Sequence, residues 1–154
     1  MTIPTTGRKV PAFTLPTTSG PVAPKDFRGS KLVIYFYPRD NTPGCTREAA
    51  DFRDLHAKFR RAGTAVLGIS PDSIASHERF RTAMQLPFEL GSDADHAVAT
   101  AFGVWKEKSM YGRKVLGIER STFLIDAEGV LRQEWRKVKV EGHVAAVLAA
   151  AEAL

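Results

Sequence analysis

The only cysteine of this 154-residue chain, Cys45, stands in the stretch NTPGCTREAA (41–50), between turn-forming residues and a helix-like run. Pro43 suits the first position of a helix, where a missing N–H group costs nothing, and Gly44 lets the backbone come close to a ligand. Cys45 is therefore expected in the first helical turn, among N–H groups without a helical partner and at the positive end of the helix dipole.

Such surroundings favour the anionic form of a thiol, which is the nucleophilic form. A lone cysteine is more commonly a small buried core residue, and composition alone leaves that alternative open. The position of Cys45 favours the reactive interpretation, because the end of a buried strand followed by a helix N-terminus is where open α/β sheets bind their ligands.

Other chemistries lack the residues that they need. The four histidines, at positions 56, 77, 96 and 143, do not have the spacing of metal ligands, so we predict no metal site and no cofactor. His56 lies about three turns beyond Cys45 on the same predicted helix, too far away to serve as its base. The sequence contains no Cys-x-x-Cys pair, which excludes dithiol exchange, and no glycine-rich phosphate loop.

Strongly periodic segments predict the elements that position Cys45. The run KLVIYFY (31–37) is apolar without alternation, as expected for a strand covered on both faces, and AVLGIS (65–70) has the same character. Between them, apolar residues recur at spacings of three and four from Cys45 to Ala62. This spacing predicts a helix, with Gly63 as its C-terminal cap.

The remaining pattern completes an α/β order. We predict an edge strand over 12–15, a second helix over 70–85, a short strand over 87–90 and a third helix over 92–103, capped by Ser92 and Asp95. A hairpin over 121–138 and a final helix over 143–154 follow. Strands that alternate with helices favour a mixed central β-sheet flanked by helices on both faces. This α/β order fits a thioredoxin-like fold, in one domain over residues 1–154.

Composition and charge narrow the setting of the protein. Hydrophobic residues make up 44% of the chain and charged residues 25%, without an apolar run of about 20 residues or a signal-peptide pattern. We therefore predict a cytoplasmic protein with no membrane partner. The net charge of +5 is dispersed, and its densest patch, RQEWRKVKV (132–140), is interpreted as a solvated strand face, so we predict no nucleic-acid binding.

The segment YFYPRDNTPGCTREAADF (35–52) closely resembles the active-site segment of peroxiredoxins. More narrowly, it resembles that of the peroxiredoxin Q group, also called bacterioferritin comigratory proteins. Pro38, Thr42 and Cys45 match the family pattern in order and spacing, and Glu48 matches the acid that commonly follows. GIERSTFLID (117–126) resembles the segment that supplies an active-site arginine, which is Arg120 here. The resemblance covers nearly the whole chain.

The resemblance implies a thiol-dependent peroxidase that reduces hydrogen peroxide and organic hydroperoxides through a Cys45 thiolate and sulfenic acid. It implies that the Thr42 hydroxyl and the backbone N–H groups near Gly44 and Cys45 hold the peroxide substrate. Arg120 would stabilise the thiolate and bind the peroxide oxygens with its planar guanidinium.

Two further residues complete the implied site. Glu48 belongs to the substrate-binding group, and Pro38 keeps water away from the sulfur. Each side chain also has a purely structural alternative: Thr42 as a helix cap, Pro38 as a strand terminator, and Arg120 as the ion-pair partner of Glu48 or Asp126.

Many members of the group carry a second, resolving cysteine, either five residues after the first or in the following helix. Here these places fall at Ala50 and near Arg81, so a two-cysteine cycle within one chain is excluded. We predict a one-cysteine cycle in which an external thiol (thioredoxin, glutaredoxin or glutathione) resolves the sulfenic acid. An engineered replacement at Ala50 or another position, and a Cys45–Cys45 disulfide between two chains, stay open as alternatives.

The resemblance further implies a monomer, and it places KEKSMYGRKVLG (106–117) in a loop near the site entrance. A function of another class would use the same sulfur: a thiol-based peroxide sensor, or a binding protein that changes partners when Cys45 is oxidised. Repeated turnover with a reductant would indicate the enzyme, and a single oxidation without recycling would indicate the sensor.

Overall fold

The computed structural model describes residues 3–154. Within them the strands are β1 (Leu15–Thr17), β2 (Gly20–Val22), β3 (Lys31–Phe36), β4 (Thr64–Ser70), β5 (Glu89–Ser92), β6 (Trp105–Met110), β7 (Arg113–Ile118), β8 (Ser121–Ile125) and β9 (Leu131–Trp135). The helices are α1 (Pro43–Arg61), α2 (Ile74–Met84), α3 (Ala97–Ala101) and α4 (His143–Ala153), with a 3₁₀ helix over Pro24–Phe27. None of these helices combines the length and the hydropathy that crossing a bilayer requires.

A seven-stranded mixed sheet forms the centre of the fold, in the order β2-β1-β5-β4-β3-β8-β9. β3 pairs in parallel with β4, and β4 with β5, whereas β8 runs antiparallel to β3. Side chains alternate across β3, so Tyr35 packs with residues of α1 and α4, and Ile34 packs with residues of α3 on the opposite face. The predicted mixed sheet with helices on both faces is confirmed, although β2 forms the edge in place of a strand over 12–15.

The helix that carries the cysteine begins at Pro43, as suits this proline, two residues before the apolar periodicity begins at Cys45, so Cys45 is its third residue. Thr42 is the N-cap, and the first helical hydrogen bond runs from the Thr46 N–H to the Thr42 carbonyl over 2.8 Å. Beyond the other end, Gly63 has a φ of +65°, the left-handed conformation that commonly terminates helices. The strand before α1 and the strand after it lie side by side in the sheet, which fixes the direction of the helix.

The predicted role of Ser92 as a cap of α3 is wrong. Ser92 is the last residue of β5, because it continues the pairing with β4, and its hydroxyl donates to the Asp72 carbonyl over 2.6 Å. The capping group is the carboxylate of Asp93, which accepts hydrogen bonds from the N–H groups of Val98 and Ala99 at 3.0 and 2.8 Å. Asp95 keeps part of its expected role, because its Oδ1 accepts from the Ala97 N–H over 3.1 Å, and Asp93 takes the place of Ser92.

The segment 106–117, expected as a loop, lies in an antiparallel hairpin of β6 and β7. Among the described residues, these two strands pair only with each other. The turn lies at Tyr111 and Gly112, which have positive φ angles of 53° and 77°, as tight hairpin turns require. Its strands are rich in lysine and largely exposed, so no alternation of apolar residues marks them in the sequence.

Candidate active site

Cys45 lies where the carboxyl end of β3 leads into α1. The residue is 2% exposed and belongs to the core cluster on the α1 and α4 face of the sheet. Its Sγ atom nevertheless accepts a hydrogen bond from Arg120 Nη2 over 3.3 Å. A structural core cysteine would contact hydrocarbon, so the guanidinium contact favours the reactive interpretation.

Arg120 lies in the short link between β7 and β8, 75 residues away from Cys45 in the sequence. While Nη2 contacts the sulfur, Nη1 donates to Glu48 Oε1 over 2.6 Å. Cys45 and Glu48 are three residues apart on α1 and therefore share one helix face, where one planar guanidinium reaches both. Asp126, the other acid considered as a partner, pairs with Arg132 at 3.3 Å instead.

Gly44 makes room for this guanidinium. A Cβ atom at position 44 would lie 3.1 Å from Arg120 Nη2, closer than most real contacts of that kind. The N–H groups of Gly44 and Cys45 also precede the first helical hydrogen bond, so both are available to a ligand at the N-terminus of α1. The first turn thus offers backbone donors beside the sulfur, as predicted for a lone cysteine in this position.

Thr42 and Pro38 occupy the link between β3 and α1, and both are half-buried. Thr42 caps the helix through its backbone only, and its hydroxyl donates to the Arg39 carbonyl over 3.0 Å. The hydroxyl oxygen keeps lone pairs that can accept a hydrogen bond from a peroxide O–H. Neither side chain bonds to the sulfur. The structure therefore brings together four of the six predicted site residues, Gly44, Cys45, Glu48 and Arg120.

The charged groups around the sulfur shift each other's protonation. Burial raises the pKa of Glu48 to about 7, although the charge and hydrogen bond of Arg120 work in the other direction. Burial alone would lower the pKa of Arg120, but Glu48 and Cys45 raise it above its ordinary value. The guanidinium is thus the permanent positive charge of the site, and Glu48 is its titratable neighbour.

Lys108 is a second cation near this site, in the segment expected near the site entrance, but no sequence pattern singled it out. Its ammonium donates to the Ile118 carbonyl across the β6–β7 hairpin. Burial and the charge of Arg120 lower the pKa of Lys108, whereas Glu119 and Cys45 raise it. One lysine among several in a segment without periodicity carries no local signal, and only the pairing of the hairpin brings it close to Arg120.

Residues 6–134 match the model of the AhpC/TSA family. The chain is 51% identical over 143 residues to a putative peroxiredoxin bcp of Coxiella burnetii, covering 92% of this chain and 95% of that protein. The chain belongs to the AhpC/TSA family, as a peroxiredoxin of the Q group. It is also 50% identical over 143 residues to the peroxiredoxin Bcp of Bacillus subtilis, covering 92% of this chain and 91% of that protein.

Solved structures agree with the assignment of this peroxiredoxin. The Xanthomonas campestris peroxiredoxin Q is 51% identical, with a TM-score of 0.88 over 92% of this chain and 90% of that one. A bacterioferritin comigratory protein of X. campestris, described with its alkyl peroxide reduction activity, is 48% identical with a TM-score of 0.91, over 97% and 98% of the two chains. The thioredoxin-like fold and the resemblance found in the sequence are thereby confirmed.

A peroxiredoxin is a thiol peroxidase, and the geometry of this site suits that reaction. Sulfur attacks one peroxide oxygen in line with the O–O bond, and negative charge spreads over sulfur and both oxygens as that bond breaks. Donors that are already fixed in place stabilise such charge without reorganisation. The Arg120 guanidinium and the free N–H groups of α1 are donors of this kind, and both lie beside Cys45.

The raised pKa of Glu48 predicts how the stability of this peroxiredoxin changes with pH. Its pKa rises from an ordinary 4.5 to about 7 on folding, so between these values the folded state binds more protons than the unfolded state. This contribution is fully present below pH 4.5 and is lost as the pH rises through 7, and it amounts to about 3 kcal/mol.

Urea unfolding of the wild type and of Glu48→Gln at pH 5 and pH 8 measures this difference. We expect the free energy of unfolding of the wild type to fall relative to that of the variant between these two values. A rise in the free energy of unfolding of the wild type relative to Glu48→Gln at pH 8 would contradict the raised pKa of Glu48. The Asp54→Asn variant, whose side chain is 64% exposed on the same helix, serves as a control whose stability relative to the wild type should change less between these two pH values.

Proposed function

We propose that this peroxiredoxin reduces hydrogen peroxide and organic hydroperoxides in a one-cysteine cycle at Cys45. The observation that carries the proposal is the 3.3 Å hydrogen bond from Arg120 Nη2 to the Cys45 sulfur. It puts a fixed positive charge where the thiolate forms and where charge develops during attack. Alkyl peroxide reduction is the activity named for the X. campestris bacterioferritin comigratory protein, which supports organic hydroperoxides as substrates here.

In the first half of the cycle, the Cys45 thiolate attacks one oxygen of the hydroperoxide. The S–O bond forms as the O–O bond breaks, sulfur is oxidised to a sulfenic acid, and the second oxygen leaves and takes up a proton as an alcohol or as water. The Thr42 hydroxyl and the N–H groups of Gly44 and Cys45 hold the oxygens. Arg120 donates to them, Glu48 orients its guanidinium, and Pro38 shields the sulfur from water.

In the second half, an external thiol attacks the sulfenic sulfur, water leaves, and a mixed disulfide forms. A second thiol then releases the Cys45 thiol and carries away a disulfide, which restores the starting state. Neither expected place holds a resolving sulfur: Ala50 is half-buried on α1, and Arg81 donates through Nε to the Phe88 carbonyl over 3.0 Å. Thioredoxin, glutaredoxin and glutathione are the candidate reductants.

The proposal includes a monomer in the cytoplasm. One chain supplies every contact described at the sulfur, from α1 and from the β7–β8 link, so the site does not depend on a second copy. A compartment that keeps thiols reduced suits an enzyme that consumes external thiols in each cycle.

Peroxide consumption with a panel of reductants tests the cycle. Hydrogen peroxide and cumene hydroperoxide are each supplied with the thioredoxin system, with glutaredoxin and glutathione, with glutathione alone and with dithiothreitol. We expect sustained turnover with at least one physiological thiol, and a mixed disulfide at Cys45 in mass spectra taken during turnover.

Two results would overturn the proposal. Consumption of one equivalent of peroxide with no recycling by any thiol would favour the sensor. A disulfide-linked dimer on a non-reducing gel that forms at the rate of turnover would show that a second copy, rather than an external thiol, resolves the sulfenic acid.

A further inference from the structure

A buried polar cluster lies under the link that leads into α1, and the reaction as described does not use it. Tyr37, Asp40, Asp72, Ser76 and His77 form this cluster, here called the Asp40 cluster. Its members come from the end of β3, from the link itself, from the segment after β4 and from the first turn of α2. The side chains of Asp40 and His77 are 3% and 0% exposed.

Asp40 is the centre of the cluster. Its carboxylate accepts hydrogen bonds from Tyr37 Oη at 2.6 Å, from Ser76 Oγ at 2.9 Å and from His77 Nδ1 at 2.7 Å. Its backbone N–H donates to Asp72 Oδ2 over 2.7 Å. Burial alone would raise the pKa of Asp40, but the hydrogen bonds from His77 and Tyr37 lower it, so the carboxylate stays charged.

His77 joins the cluster to the sheet. Its Nε2 atom lies 2.9 Å from the Gly91 carbonyl, which can only accept, while Nδ1 faces the Asp40 carboxylate. Both ring nitrogens therefore face oxygen atoms, one on Asp40 and one on β5. The cluster thus ties the link before α1 to β5, two strands away in the sheet.

A metal ion does not explain the cluster. Ligand atoms of Asp40, Asp72 and His77 lie within 4.8 Å of one another, close enough to share an ion. Each of these atoms, however, already has a protein partner: Asp72 Oδ2, for example, accepts from the Ser70 hydroxyl at 2.6 Å as well as from Asp40. The groups satisfy each other, as in a network that fixes backbone.

The backbone that the cluster holds is strained. Asn41, between Asp40 and the helix cap Thr42, has a φ of +61°, a conformation that costs a residue other than glycine some free energy. Such a conformation persists where the surroundings fix the residues on either side. Asp40 supplies that fixed point on one side, and the first turn of α1 supplies it on the other.

We propose that Asp40 is a positioning residue for peroxide reduction: anchored by Tyr37, Ser76 and His77, it sets the place of Thr42 and of the first turn of α1. The inference rests on the proposed role of Thr42 and of the helix N–H groups in holding the peroxide. The contact between Arg120 and Cys45 comes from the β7–β8 link and does not pass through Asp40. Loss of Asp40 should therefore misalign the first turn and its peroxide donors, while the sulfur keeps its contact with Arg120.

Two rates measured on Asp40→Asn separate these effects. The second-order rate of Cys45 oxidation by hydrogen peroxide needs the aligned donors, whereas the rate of alkylation by iodoacetamide depends on the thiolate and its accessibility. We expect the peroxide rate to fall by about 10- to 100-fold and the alkylation rate to stay within about twofold. Asp54→Asn, with its side chain 64% exposed on α1, is the matched control and should change neither rate.

Ser76→Ala is a milder second variant for the case in which Asp40→Asn does not fold. It removes one of the three donors to Asp40, and we expect the peroxide rate alone to fall by about two- to fivefold. A folded Asp40→Asn variant with an unchanged peroxide rate, or an equal fall in both rates, would overturn the proposal. A wild type that does not react with peroxide would overturn the proposed function instead, which keeps the two failures distinct.

Discussion

Replacing Cys45 with serine should lower the rate of peroxide consumption by at least about 10⁴-fold, the scale expected when a nucleophile is removed. A serine hydroxyl keeps nearly the size of the thiol and can still accept a hydrogen bond from Arg120, but it is not ionised near neutral pH. The remaining donors would bind peroxide with no group to attack it. Stopped-flow loss of hydrogen peroxide, with the reductant that supports the wild type, measures the effect.

The control for this variant is Thr46→Ser, a change of similar size at the next position of α1. We expect it to keep the rate within about twofold, because this half-buried side chain has no part in the proposed site. Thermal unfolding should show that Cys45→Ser is folded. Residual turnover above about one hundredth of the wild-type rate in the folded variant would mean that the reaction does not depend on this sulfur alone.

The sequence predicted the two strands and the helix around Cys45 well, because these elements depend on local pattern. The uninterrupted apolar residues of β3 and β4 and the helical spacing of α1 lie within short windows, and the structure has all three elements within two residues of the expected bounds. Proline, glycine and cysteine in succession were enough to place Cys45 in the first turn. A strand–turn–helix signal is strong because propensity, periodicity and turn chemistry agree there.

The partners of the sulfur did not follow from local pattern. Arg120 is 75 residues from Cys45, and only the resemblance to peroxiredoxins pointed to it. Asp40 and His77, 37 residues apart, went unnoticed because histidine on a predicted helix and aspartate in a turn are both ordinary. The pairing of strands β3, β4 and β5 places these side chains together, and no periodicity within one element records such pairing.

Replacing Arg120 with alanine should lower the second-order rate of Cys45 oxidation by about 10²- to 10³-fold, because the donor that contacts the sulfur, and that holds the peroxide oxygens in the proposed mechanism, is lost. The rate of Arg120→Lys should lie between those of Arg120→Ala and the wild type. A lysine keeps the charge, but a single ammonium group cannot hold Glu48 and Cys45 in the paired geometry of a planar guanidinium. Competition with a peroxidase of known rate, at pH 7.5, measures all three proteins.

Arg120→Ala also leaves the fully buried Glu48 without its ion-pair partner, so a slow variant could simply be an unstable one. The double variant Arg120→Ala, Glu48→Gln separates the two causes, because it removes the orphaned charge. We expect it to unfold at a higher temperature than Arg120→Ala and to remain as slow in peroxide reduction. Recovery of the rate together with stability would show that Arg120 acts only as a structural partner of Glu48. Arg132→Ala, which breaks the half-exposed pair with Asp126, should leave the rate unchanged.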